Sequence, residues 1–149
     1  MNRIIKFRGQ RLNNGEPTNI WVFGSLRCDY GAVDSSSLFS RCETPDIYSV
    51  GIRACEIYDP KTYSTYAVNS NTVGQFTGLL DCHGTEIYEG DILLCKGKHL
   101  YQVEWLTDGF MIRGKTYGGI TSIKSFLPIQ REVEGNIFDN PELIKKRLK

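Results

Sequence analysis

Histidine is nearly missing from this chain: His83 and His99 are the only two in 149 residues. A Ser–His–Asp or Cys–His pair would have to be built on one of them, and no Gly-x-Ser-x-Gly elbow accompanies either. His99 falls in the polar stretch Lys96-Gly97-Lys98-His99, which reads as a hairpin loop. Cys-x-x-Cys pairs are also absent. The five cysteines, Cys28, Cys42, Cys55, Cys82 and Cys95, form an odd and scattered set. A secreted disulfide framework shows an even count, so the set predicts a reducing cytoplasm. Zinc sites are most simply built from paired knuckles, and here only Cys82 and His83 are neighbours. Cys55 and Cys95 read as small buried hydrophobes and His83 as a turn residue, so no metal, no cofactor and no catalytic residue is expected. No apolar run approaches the roughly 20 residues needed to cross a bilayer. Met1 to Arg11 alternates basic and apolar residues without the continuous apolar core of a signal peptide. Tyr117-Gly118-Gly119-Ile120 lacks the spacing of a phosphate loop and reads as a flexible connection. Charge of one sign is missing too: the formal net charge is +1, which argues against a general polyanion binder.

What is present is the composition of an ordinary globular domain, with 40% hydrophobic and 23% charged residues. Fifteen glycines, eight tyrosines and seven phenylalanines tilt it towards β structure, since aromatics suit pleated faces and glycines suit tight turns. Arg3-Ile4-Ile5-Lys6-Phe7-Arg8 has a period of two, with Ile5 and Phe7 on one face and Lys6 and Arg8 opposite. Asn13-Asn14-Gly15-Glu16-Pro17 is turn chemistry, and Ile20-Trp21-Val22-Phe23 resumes a strand that pairs with the first, with Gly24 as a bend. Residues 28–44 are Ser-, Asp- and Gly-rich and read as a variable loop. Ile47 to Tyr58 and Tyr63 to Val68 are strand-like, separated by a turn at Asp59-Pro60-Lys61-Thr62. Asn69-Ser70-Asn71-Thr72 marks a boundary.

Beyond it, Asp81-Cys82-His83-Gly84 places Asp first and Gly fourth, as a type I turn prefers. Ile92-Leu93-Leu94 reads as a buried strand. Tyr101, Val103 and Trp105 alternate with Gln102 and Glu104, and after Asp108-Gly109 the alternation continues through Phe110 and Ile112, which predicts a hairpin. Val133 to Phe138 is a further strand broken by Gly135. Asn140 as N-cap, Pro141 at the first helical position and Glu142 in the first turn predict a helix that closes on Lys145, Lys146, Arg147 and Lys149. The expected fold is mostly β. A β-rich region occupies residues 1–71, a small SH3-like barrel residues 72–138, and a short C-terminal α-helix residues 139–149.

Asp81, Glu86, Glu89 and Asp91 cluster in sequence, and a hydrolase would pair two of them across a cleft. Asp81 and Asp91, however, stand where carboxylates accept backbone N–H bonds, which makes a structural role the better expectation. Arg3, Lys6, Arg8 and Arg11 place four positive charges ahead of the first acid, Glu16. They are the candidate nucleic-acid contacts, and the competing reading is the ordinary charged face of a strand.

Two stretches carry a resemblance. Residues 72–94, Thr-Val-Gly-Gln-Phe-Thr-Gly-Leu-Leu-Asp-Cys-His-Gly-Thr-Glu-Ile-Tyr-Glu-Gly-Asp-Ile-Leu-Leu, are similar to the hallmark segment of the YopX family of phage and prophage proteins. Residues 133–143, Val-Glu-Gly-Asn-Ile-Phe-Asp-Asn-Pro-Glu-Leu, resemble that family's C-terminal signature, and Ile5-Lys6-Phe7-Arg8, Trp21-Val22-Phe23-Gly24 and Val103-Glu104-Trp105 are similar too. Two departures stand out: Gly9-Gln10 follows Lys-Phe-Arg where the family has Ala-Trp, and Cys82-His83 replaces a commoner polar pair. The resemblance implies a β-rich protein with a C-terminal SH3-type barrel and a mobile-element origin. It implies no activity and no catalytic residue. Together these observations predict a non-catalytic binding or regulatory module acting on a protein partner in the cytoplasm. The alternative is a nucleic-acid-binding small barrel that uses Arg3, Lys6, Arg8 and Arg11.

Overall fold

The structure, a computed structural model, describes residues 4–30, 52–107, 109–114 and 119–148. Most of the expected loop at 28–44, with Cys42, and the connection at 115–118 lie outside the described residues, as does Arg3. The chain divides into two compact units, one made of Arg8–Val73 and the other of Gly74–Lys149 together with residues 4–7. Strands dominate both, and the expectation of a mostly β protein with one short C-terminal helix holds among the described residues.

In the N-terminal unit, β1 (Phe7–Asn13), β2 (Glu16–Tyr30), β3 (Ile52–Asp59) and β4 (Ser64–Val68) pair in the order β2-β3-β4-β1. Because β1 also pairs with β2, the four strands close into a ring. Val22, Cys55, Ile57 and Val68 are buried in this unit. Gly24 permits the close approach of β2 to β3, since a Cβ there would collide with the Tyr58 carbonyl. The β3–β4 turn uses Asp59, whose Oδ1 accepts from Lys61 N at 2.8 Å, as an Asx turn does.

The first strand corrects one expectation. Regular strand begins at Phe7, Ile5 is 63% exposed, and Arg8 is 7% exposed. The expected faces therefore do not hold, because the Arg8 guanidinium stacks 4.9 Å over the Trp21 ring and takes an inward position that alternation would give to an apolar residue.

In the C-terminal unit, β5 (Gly74–Leu80) pairs with β6 (Glu86–Tyr88). The remaining strands, β7 (Asp91–Cys95), β8 (His99–Leu106), β9 (Gly109–Arg113), β10 (Ile120–Ser122) and β11 (Arg131–Asn136), form an antiparallel sheet in the order β10-β9-β8-β7-β11. This set of short antiparallel strands is consistent with an SH3-like barrel. The β8–β9 hairpin forms as the alternation predicts, with Val103 opposite Ile112 in the core and, further along the same face towards the hairpin end, the half-exposed Trp105 packed edge-on against Phe110. Ile87, Leu93, Cys95, Tyr101, Val103, Ile112, Ile123 and Phe126 make one contiguous core.

Helix α1 (Pro141–Leu148) starts where Asn140-Pro141 placed it and packs against β8. The signature before it is a hydrogen-bonded corner. Asn136 Oδ1 accepts from Phe138 N and Asp139 N at 2.9 Å each, and Asn140 Oδ1 accepts from Asn136 N at 3.3 Å. Gly135 is required there because any Cβ would run into the Asn140 side chain.

Gly90 joins three elements. Its N–H donates to the Val103 carbonyl and its own carbonyl accepts from Ile137 N, each at 2.9 Å, with φ at +86°. A Cβ would lie 3.3 Å from the Phe138 ring. Gly90→Ala should destabilise the protein by about 1 kcal/mol or more through the left-handed backbone alone. Chemical denaturation checks this, and an unchanged midpoint would contradict it.

Candidate functional site

The turn joining β5 to β6 is organised by one buried carboxylate. Asp81 Oδ1 accepts from His83 N and Thr85 N, both at 2.8 Å, and Oδ2 accepts from Val133 N at 3.0 Å. Gly84 N donates to the Asp81 carbonyl at 3.2 Å with Gly84 at φ +79°, the closure expected of Asp81-Cys82-His83-Gly84. Burial pushes the Asp81 carboxyl up, but the three backbone N–H donors and nearby His83 outweigh it and hold the group below its ordinary value.

The turn is fastened to β11 at two points that flank Glu132. Val133 N donates to Asp81, and Cys82 N donates to the Arg131 carbonyl at 3.0 Å. Arg131 itself is buried. Its Nε and Nη2 donate to the Leu80 carbonyl at 3.1 and 3.0 Å, and Nη1 donates to the carbonyls of Phe126 and Ile123 at 3.1 and 3.3 Å. One guanidinium thus ties the end of β5 to the segment between β10 and β11.

Glu132, held between these anchors, reaches the turn from the far end of the sequence. Its Oε1 lies 2.9 Å from His83 Nε2, and the donor atoms of Cys82, His83 and Glu132 all lie within 4.8 Å of one another. Cys82 and His83 are exposed and Glu132 is half-buried. Desolvation pushes the Cys82 thiol up, and the negative charges of Glu132 and Asp81 push it further, so the sulfur keeps its proton where a nucleophile would have lost it. The cluster is thus unlike an activated Cys–His pair. Sequence reasoning had Cys82 and His83 as neighbours and missed Glu132. Only the pairing of β11 with β7, Glu132 opposite Leu94, brings it there.

The other carboxylates answer to structure. Asp91, buried, accepts from Tyr88 N at 2.7 Å. Glu86 takes the Lys6 ammonium at 2.7 and 2.9 Å and the Tyr88 hydroxyl at 2.7 Å. Burial pushes Glu89 up, partly offset by a backbone hydrogen bond at Gln75. The buried thiols of Cys55 and Cys95 are pushed up to about 12 and about 11, chiefly by desolvation, which makes them poor nucleophiles. Cys55 faces Cys28 across β2 and β3 with the sulfurs 2.7 Å apart. A cavity of about 280 Å³ in the N-terminal unit, lined by Leu12, Pro17, Cys55, Glu56 and Val68 among others, gathers no set of catalytic groups.

Of the candidate nucleic-acid contacts, Arg3 lies outside the described residues. Lys6 is held by Glu86 in the C-terminal unit, whereas Arg8 over Trp21 and Arg11, 4.6 Å over the Tyr66 ring, belong to the N-terminal unit. No described helix is long and apolar enough to cross a membrane.

Fold and site together define a small antiparallel β protein whose ionisable groups mostly hold turns and strands in place. The chain belongs to the YopX protein family, which matches it over residues 41–145. Its structure is similar to the crystal structure of protein EF1440 from Enterococcus faecalis, with a TM-score of 0.52 over 96% of this chain and 99% of that one. Identity between the two is 20%, so the likeness is one of fold. Comparison with curated proteins gives no match.

Proposed function

We propose that this YopX-family protein is a non-catalytic binding module acting on a protein partner. One observation carries the reading: Leu127-Pro128-Ile129 presents two aliphatic side chains, 62% and 81% exposed, on a segment fastened at both ends. Isolated exposed apolar residues are commonplace, but these two stand on a built support. Ile123 and Phe126 are buried just before them, with their carbonyls gripped by Arg131. Leu127 N donates to Gln130 Oε1 at 3.1 Å, Gln130 N returns to the Leu127 carbonyl at 2.8 Å, and Lys96 N donates to the Gln130 carbonyl at 2.7 Å. A rigid apolar display of this kind loses little entropy on docking and suits an apolar pocket on another protein.

The nucleic-acid alternative is weaker on the same geometry, since Lys6, Arg8 and Arg11 are engaged by Glu86, Trp21 and Tyr66. A mobile-element origin and a cytoplasmic setting belong to this reading through the family resemblance and the odd number and scattered spacing of the cysteines in the sequence.

The test is capture of partners by the full chain from lysate, with and without nuclease, alongside Leu127→Ser/Ile129→Ser. The double variant should fold with stability within about 0.5 kcal/mol of the parent, as exposed substitutions do. A discrete protein should be retained after nuclease and lost with the double variant. Retention that vanishes with nuclease and falls steeply with salt would overturn the proposal in favour of nucleic acid.

A further inference from the structure

We propose that Cys82, His83 and Glu132 form a three-ligand surface site for a divalent transition-metal ion of the zinc class, with a fourth position open to water. The donor set is one thiol sulfur, one imidazole nitrogen and one carboxylate oxygen, each a zinc ligand in its own right. The thiol favours zinc and its neighbours over magnesium or calcium, which take oxygen alone. The distances suit it. Metal–ligand lengths of roughly 2.0 to 2.3 Å at a tetrahedral centre put donor atoms about 3.3 to 3.7 Å apart. Here the nitrogen and oxygen are 2.9 Å apart and all three donors fall within 4.8 Å, so side-chain rotations of well under an ångström to about an ångström complete the set.

The backbone beneath the donors is already fixed. Cys82 and His83 sit in a turn closed by Asp81, with Cys82 N held by the Arg131 carbonyl. Glu132 sits between Arg131 and Val133, both anchored to the same turn. Such preorganisation removes much of the ordering cost of assembling ligands from sequence positions 49 residues apart. Exposure of Cys82 and His83 lets a hydrated ion approach without opening the fold. On binding, the ion takes the place of the ring–carboxylate hydrogen bond: the imidazole shifts its proton to Nδ1 so that Nε2 can coordinate, and the thiol proton passes to the buffer.

The test uses the untagged full chain, reduced and freed of metal by chelation, titrated with cobalt(II) and then with zinc(II). One equivalent of cobalt should raise a thiolate-to-cobalt charge-transfer band that zinc abolishes stoichiometrically. Cys82→Ser should remove the band. His83→Ala and Glu132→Gln should each weaken binding by at least the roughly 10-fold that even outer-shell changes cost. All three side chains lie at the surface, so far-UV circular dichroism should show each variant folded, and Cys28→Ser should bind as the parent does. A missing band, a band that survives Cys82→Ser, or cobalt binding indifferent to all three substitutions would overturn the proposal.

Discussion

Replacing Arg131 with methionine is expected to lower the free energy of unfolding by roughly 3 kcal/mol or more. Methionine fills much of the same volume, so the loss isolates the guanidinium. Its removal strips donors from the carbonyls of Leu80, Ile123 and Phe126 at once. A buried carbonyl without a partner costs about 1–3 kcal/mol. Burial works against the charge and lowers the guanidinium's affinity for its proton, while Cys95 and the Asp81 carboxylate work in its favour. Arg131→Lys should recover only a minority of the loss, because a single ammonium cannot fork between carbonyls on two segments. Urea denaturation followed by fluorescence measures this, and a methionine variant with the parent's midpoint would show that the three carbonyls find other donors.

Asp81→Ala should cost about 2–4 kcal/mol, since three backbone N–H groups lose their acceptor together. Asp81→Asn should be milder, about 1–2 kcal/mol: the amide oxygen still serves His83 and Thr85, while its NH2 turns towards Val133 N, which is a donor itself. The pH dependence separates charge from shape. The folded carboxyl lies below its ordinary 3.8, so the folded state binds this proton more weakly than the unfolded state does. The stabilisation is therefore complete above the unfolded value and is lost as the pH falls through the folded one. Acid titration of unfolding should show a decline below about pH 4 in the parent that Asp81→Asn lacks. Parallel profiles would mean that the carboxylate contributes as a neutral acceptor alone.

Much of this could be read from residues in order. The β8–β9 hairpin was legible because one face is buried against the core, and burial imposes a period of two on Tyr101, Val103 and Ile112. Asn140-Pro141-Glu142 was legible because capping is local chemistry. Asp81 and Gly84 were legible for the same reason, since a turn is written within four residues. What failed was tertiary. Arg8 reads as a solvent-facing charge until Trp21, on another strand, offers its ring. The pairing of β1 with β2 was expected from the sequence, but that of β1 with β4, which completes the ring, rests on a contact that alternation cannot rank. Glu132 reaches His83 only through the register of β11 on β7, which shifts between Val133 and Gly135. A strand register displaced by one residue would point Glu132 to the opposite face, so spacing alone could not assemble the trio.

The two units are not consecutive along the chain: Arg8–Val73 interrupts a unit that begins with residues 4–7 and resumes at Gly74. Translation therefore releases one unit whole while the other is still split between its first few residues and a portion not yet made. Lys6 must wait for Glu86, 80 residues further along the chain, and its carbonyl must wait for the N–H of Phe76. The ring of β1 to β4 can form in that interval. A gene fragment opened at Gly74 would encode the later strands without residues 4–7, which belong to the same unit and supply Lys6 to Glu86 and to Phe76.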